Sequence, residues 1–273
     1  GVEVPIHVIP RAIETRIFNA TGQDDPFPTE ATPGGRLVVV CRHAREKEVD
    51  RLLRIFAQYV CPKVQGATLT LVGDGPESDA LKELAKELGV DQRTYFVGEQ
   101  SLQQMPAWYR HGDLFVYTSL SETYGQVISE ALWCGLPVVA MNDGMGVAGQ
   151  VTDGEDGFLV NPRSASADEE FGHHVELLLT KEALRRQMAN KAVSNAKDRS
   201  DPEVCVQRYL EVFEIAKDHA SRAPQRSSIK AYSGLASWTG LHATVAAMGL
   251  MRKPVELNRN HAATGSWTLA AAS

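Results

Sequence analysis

The 273-residue chain predicts an α/β fold with an open, doubly wound parallel sheet. Three observations predict it. Six short apolar runs, at 36–41, 67–72, 94–97, 113–117, 137–140 and 158–160, have the length and the β-branched or aromatic content of buried strands. They are continuous rather than alternating, as expected where both faces of a parallel sheet are covered by helices, and helical stretches fit between them at about 46–60, 77–88, 102–110 and 123–134. The Gly-rich and polar turns follow the carboxyl ends of the strands, the edge at which such sheets bind ligands.

Taken in order, residues 1–35 read as an entry segment. In it Val2 to Pro10 suits a short strand, followed by a polar loop that ends at Gly34-Gly35. From Arg36 to residue 164 the strands and helices alternate. The richest stretch is Thr118 to Gly135, TSLSETYGQVISEALWCG, directly after the strand Asp113 to Tyr117. Ser119 and Ser121 can cap a helix and Glu122 falls in its expected first turn. Val127, Ile128, Ala131, Leu132 and Cys134 recur at helical spacing, and Gly135 followed by Pro137 stops the helix. This spacing puts Glu122 at the helix mouth, beside backbone N–H groups that attract anions. Glu130, eight residues on, then faces the same side about two turns later. Residues 165–220 suit two or three amphipathic helices, one starting at Asp201-Pro202.

Residues 221–273 differ in kind. They hold six Lys/Arg against one acid, Glu256, so this segment carries +5 of a chain whose net charge is −6. Lys230 and Arg252 bracket 21 uncharged residues whose Gly, Ser, Thr and His content makes them only weakly apolar. Three readings stay open: a poorly ordered terminus, an interfacial helix with Trp238, Leu241, Val245 and Met248 on one face, and a membrane span.

Glu122 and Glu130, with seven residues between them, resemble the signature of retaining GT-B glycosyltransferases, the large family 4 in particular. Val-Cys-Arg-His-Ala-Arg-Glu-Lys (40–47), Leu-Val-Gly-Asp-Gly-Pro-Glu (71–77) and Phe-Val-Gly (96–98) resemble that family's other strand-end motifs, in the same order and spacing. The resemblance covers roughly residues 5 to 220. It implies the Rossmann-like C-terminal half of a GT-B fold, which holds a nucleoside diphosphate sugar.

The roles implied are specific. Arg42 and Lys47 would clamp the diphosphate, where cations stabilise its departure; by itself Arg-Glu-Lys-Glu reads as a solvated charged stretch, and it is the downstream glutamates that favour the clamp. Glu130 would accept hydrogen bonds from the ribose hydroxyls, and Glu122 would contact the donor sugar. Thr123, Tyr124 and Gly125 would offer N–H groups, Gly73 would line the turn beside the nucleotide, and Val97 and Gly98 would meet the base through their backbone. In two places the chain departs from the family. Arg11-Ala-Ile-Glu14 stands where members carry Asn-Gly-Val-Asp. Met145-Gly-Val-Ala-Gly149 puts Gly149 where a glutamate is usual.

The resemblance also implies no cofactor and no metal, and a preceding acceptor domain not found in these 273 residues. The chain is thus expected to be a fragment or a split subunit, inactive alone. A non-catalytic nucleotide-sugar-binding module is the rival reading. The net charge argues against a general nucleic-acid binder. Four cysteines without close pairing suit a reducing cytoplasm, and the basic tail allows association with an anionic membrane surface.

Overall fold

A computed structural model describes residues 7–222. Six parallel strands form one sheet: β1 (Arg36–Val40), β2 (Thr68–Val72), β3 (Thr94–Gly98), β4 (Leu114–Tyr117), β5 (Val138–Met141) and β6 (Gly157–Val160), ordered β3-β2-β1-β4-β5-β6. This is the doubly wound, Rossmann-like arrangement that the apolar runs predict. Every strand falls within about a residue or two of its expected place. Leu37, Val38, Val39, Leu69, Leu71, Phe115, Val116, Val138, Val139 and Ala140 are all buried, which is why these runs do not alternate.

Helices α2 (Val49–Ile55), α3 (Ser78–Glu87), α4 (Met105–His111) and α5 (Gln126–Trp133) connect the strands. A 3-10 turn at Arg45–Lys47 precedes α2, and π geometry at Phe56–Val60 continues it. Between the turn and the helix Glu48 sits at φ 49°, a left-handed conformation that costs a residue with a Cβ about 1 kcal/mol. α6 (Ala167–Thr180), α7 (Glu182–Ser200) and α8 (Pro202–Arg222) complete the described chain. Residues up to Glu214 belong to one compact unit. Those from Ile215 form a second, of which only the end of α8 is described. Val206, Tyr209, Leu210 and Phe213 leave an apolar face of α8 exposed.

The entry segment is built into this unit more deeply than its polar composition suggests. A short helix, α1 (Thr15–Phe18), and the loop after it bury Ile13, Phe18, Phe27 and Ala31 in the main core. Arg36, at the start of β1, is buried and holds the loop. Its Nε donates to the Ala31 carbonyl at 2.6 Å, its Nη1 pairs with Asp25 at 2.7 Å, and its guanidinium lies 4.6 Å over the Phe27 ring. Residues 7–10 have no regular structure, and the rest of the expected Val2–Pro10 strand lies outside the described residues. The 221–273 tail likewise lies outside them, apart from the last turn of α8. Among the described residues, no helix is long and apolar enough to cross a membrane.

Candidate functional site

In this strand order the chain reverses direction of build-up between β1 and β4, and a crevice opens beyond their carboxyl ends. The loops after these two strands line it. Lys47, from the β1–α2 loop, reaches across to the Glu122 Oε1, from the β4–α5 loop. Both side chains are largely buried, with 18% and 14% of their surface exposed. The Tyr117 hydroxyl at 2.7 Å and the Ser119 hydroxyl at 3.0 Å donate to the same Glu122 oxygen. The Thr118 hydroxyl donates to the Glu48 carbonyl at 2.9 Å and to the Lys47 carbonyl at 3.2 Å. Thus one loop fixes the other, and the left-handed turn at Glu48 is stitched down from the opposite side.

Burial pushes the Glu122 carboxyl up. The donors Lys47, Tyr117 and Ser119, with the charge of Lys47, outweigh it and leave the group below the ordinary carboxylate range. Glu130 is the reverse case. It lies within α5 and is 8% exposed. Burial raises its pKa from 4.5 to about 6, against the pull of the Tyr109 hydroxyl, 2.9 Å from Oε2, and of Arg11.

The structure corrects the expected helix start. α5 begins at Gln126, not at 123, because Gly125 takes φ 78° and forms the N-cap. Glu122 therefore lies in the loop before the helix, not in its first turn, and the two glutamates do not share a helix face. Neither Ser119 nor Ser121 caps the helix: α5 has no side-chain cap bond, and the Ser119 hydroxyl goes to Glu122 instead. Thr123 is exposed and Gly125 is buried. Tyr124 turns its hydroxyl to the Arg11 carbonyl at 3.2 Å. The N–H groups of the first helical turn belong to residues from Gln126 on.

The turn at 122–125 is held from behind by a residue the sequence reading passed over. Buried Gln150 donates its amide to the carbonyls of Tyr124, Gly125 (3.1 Å) and Gly146 (3.0 Å), and accepts from Ser129. Gly146 packs so tightly here that a Cβ would lie 2.6 Å from the Glu122 carbonyl oxygen. Asp143 caps the same loop, accepting from the N–H groups of Met145 (2.9 Å), Val147 (3.1 Å) and Ala148 (3.0 Å). The glutamate expected at 149 is missing, yet the loop is fully built, with the Gln150 amide next door tying it to the 122–125 turn.

Arg42 and Lys47 hold different carboxylates. Arg42 is exposed and pairs with Glu46 at 2.5 Å along its own loop. Gly73, at φ 129°, lets the β2–α3 turn pass against the Cys41 carbonyl, where a Cβ would come within 2.0 Å. Its N–H donates to the Gly98 carbonyl at 2.9 Å, and the Val97 carbonyl accepts from the Gln100 side chain at 2.8 Å. The carbonyls of Val97 and Gly98 thus each hold a partner within the chain. His43 is buried behind the same turn. The Ser78 hydroxyl donates to Asp74, so the His43 Nδ1 at 2.8 Å must be the donor to Ser78.

A doubly wound sheet with a lysine and a glutamate paired across its switch-point crevice belongs to the class of folds that hold ligands at this edge. Comparison with known proteins narrows it. Residues 24–195 match the family "Glycosyl transferases group 1", and the chain belongs to that family. It is 38% identical over 144 residues to a D-inositol 3-phosphate glycosyltransferase of Rhodococcus jostii, an overlap that covers 50% of this chain and 30% of that protein. It is 28% identical over 179 residues to an N-acetyl-alpha-D-glucosaminyl L-malate synthase of Bacillus anthracis, covering 65% of this chain and 44% of that one. The chain thus spans less than half the length of these relatives. The Anabaena protein HepE, in complex with UDP and glucose, superposes with a TM-score of 0.57 at 29% identity, over 66% of this chain and 48% of that one. The C-terminal domain of a Francisella tularensis group 1 glycosyl transferase, LpcC, shares the fold. Its TM-score is 0.59 at 22% identity, over 70% of this chain and all of that domain.

Proposed function

We propose that this chain is the donor-binding part of a retaining, family 4-type transferase that moves a sugar from a nucleoside diphosphate sugar to an acceptor hydroxyl. The observation that carries the reading is the meeting of Lys47 and Glu122 across the switch-point crevice, with Glu130 behind it. The names of the relatives, and the UDP held by HepE, support the same class of substrate.

The parts divide the work. The diphosphate draws Lys47 from Glu122, and Arg42 swings from Glu46 to join it. That pair is exposed and screened by solvent, so the swing costs little. As the sugar–oxygen bond breaks, the leaving diphosphate gains charge and the two cations stabilise it. Glu122, relieved of Lys47, presents its charge to the developing positive anomeric carbon. The acceptor hydroxyl attacks from the same face and a donor phosphate oxygen takes its proton. Glu130 is ionised above about pH 6 and so accepts from the ribose hydroxyls at neutral pH. Thr123, Tyr124 and Gly125 shape the sugar side, and Gly73, Val97 and Gly98 the nucleoside side. The cations supply the charge balance, so the reading calls for no metal.

In the same reading, residues 36–164 bind the donor, 165–220 are the closing helices, and the acceptor site belongs to a preceding domain, without which the chain is inactive. The protein works in the cytoplasm, and its basic 221–273 segment associates with an anionic membrane surface. Liposome flotation with and without that segment checks this last point; equal failure to float removes it.

Two features favour a second reading, a nucleotide-sugar-binding module without catalysis: Arg42 turned outward, and Gly149 in place of glutamate. Calorimetric titration of UDP, GDP and ADP, with their sugars, tests what the two readings share. One nucleotide should bind, and Glu130→Ala should weaken it about tenfold or more, as loss of a charged hydrogen-bond partner does. No binding by the folded chain overturns both. Transfer activity once an acceptor domain is supplied, abolished by Glu122→Ala, separates them.

A further inference from the structure

Four aromatic rings form a ladder under the crevice. Phe18 lies 6.3 Å from Tyr109, Tyr109 5.9 Å from Phe115, and Phe115 stacks on Tyr117 at 5.7 Å and 25°. The two tyrosines are buried, and each ends on one of the two glutamates. The Tyr109 hydroxyl, from α4, donates to Glu130 at 2.9 Å, and the Tyr117 hydroxyl, from β4, donates to Glu122 at 2.7 Å. A buried tyrosine fills space well enough as phenylalanine. The hydroxyls add direction: each holds a carboxylate in one orientation without adding charge to the site.

We infer that Tyr109 and Tyr117 are positioning residues of the donor site, Tyr109 fixing Glu130 and Tyr117 fixing Glu122, with Phe115 as the shared rigid spacer between them. This inference rests on the proposed donor site. Its consequence is that Glu122 stays oriented when Lys47 leaves it for the diphosphate, because Tyr117 and Ser119 remain on Oε1. It follows too that the two carboxylates keep a fixed spacing, set by rings that belong to neither loop.

The groups facing each carboxylate are few. Around Glu130 are Tyr109 from α4, Arg11 from the entry segment and Cys134 at the C-cap of α5. Around Glu122 are Lys47 and Cys41 from the β1 side, and Tyr117 and Ser119 from the β4 side. Each tyrosine hydroxyl stabilises the ionised form of its own partner, so its removal should raise that partner's pKa and leave the other's in place.

The test uses the full chain and its Tyr109→Phe and Tyr117→Phe variants. Side-chain carboxyl titrations are followed by 13C NMR, and UDP and UDP-glucose are titrated by calorimetry. Tyr109→Phe should move the Glu130 midpoint upward from about 6, leave Glu122 in place, and weaken UDP and UDP-glucose alike by about tenfold. Tyr117→Phe should move only the Glu122 midpoint and weaken UDP-glucose while UDP is held as before. Midpoints that stay put, or that move together, overturn the inference. So does loss of the native fold in both variants, since a phenyl ring fills the same space. If the unaltered chain binds neither nucleotide, the proposed function fails, and the carboxyl midpoints alone still decide whether each tyrosine governs its glutamate.

Discussion

Two carboxylates eight residues apart end with opposite affinities for a proton. Glu122 sits on a loop, largely buried, with a lysine, a tyrosine and a serine on one oxygen, and its carboxyl is held below the ordinary range. Glu130 sits inside a helix, more deeply buried, with a neutral tyrosine hydroxyl against it, and its carboxyl rises to about 6. The difference shows that burial alone does not set charge in this crevice. What matters is whether a cation reaches the group. Glu122 is kept ionised chiefly by Lys47, whereas Glu130 titrates near 6 with no cation bonded to it.

The comparison breaks most sharply at Lys47. Lys47→Met leaves a partly buried carboxylate without its counter-charge and should destabilise the chain by about 3 kcal/mol at neutral pH, read by urea unfolding. A depressed carboxyl lends stability above its unfolded value of 4.5 and loses it as pH falls through the lower folded value. The gap between this variant and the unaltered chain should therefore narrow in acid.

Glu130 should behave with the opposite sign. A raised carboxyl is most favourable below 4.5, and the chain loses about 2 kcal/mol as pH rises through about 6. Glu130→Gln, which still accepts from Tyr109, should remove that loss. The variant is expected to be more stable than the unaltered chain at neutral pH while binding nucleotide less well, the trade common at functional sites. Parallel pH–stability curves for the two proteins would contradict this.

Smaller changes sharpen the same contrast. Gly146→Ala drives a Cβ to 2.6 Å from the Glu122 carbonyl oxygen and should cost about 1–2 kcal/mol by displacing the 122–125 turn. Glu130 should keep its pKa in that variant. Glu48→Gly relieves the left-handed turn behind Lys47 and should stabilise the chain by about 0.5–1 kcal/mol in thermal unfolding.

Much of this was legible in the sequence, for a physical reason. Strands covered on both faces must be continuously apolar, so all six could be placed from 36–41 to 158–160. The polar strand ends then pointed to the crevice. What escaped depends on contacts distant in sequence. Gly125 offers two choices, interior or cap, and the turn is fixed as a cap by a distant residue, Gln150, whose amide donates to the Tyr124 and Gly125 carbonyls. Ile13, Phe18 and Phe27 lie scattered among polar residues with no period, and residues far along the chain, Arg36, Arg110 and Trp133, hold their segment in place. Tyr109 and Tyr117 read simply as apolar members of a helix and a strand. No local pattern shows that their hydroxyls meet Glu130 and Glu122.

The claim at the centre is that a nucleoside diphosphate occupies the crevice between β1 and β4. Backbone amide NMR of the chain during addition of UDP addresses it directly. The account predicts that shifts gather at Cys41 to Lys47, Gly73 to Gly75, Val97 to Gly98 and Glu122 to Glu130, and that Lys47→Met removes them. Shifts gathered elsewhere, such as the groove between α2 and α3 lined by Arg54, Leu84 and Glu87, would contradict it.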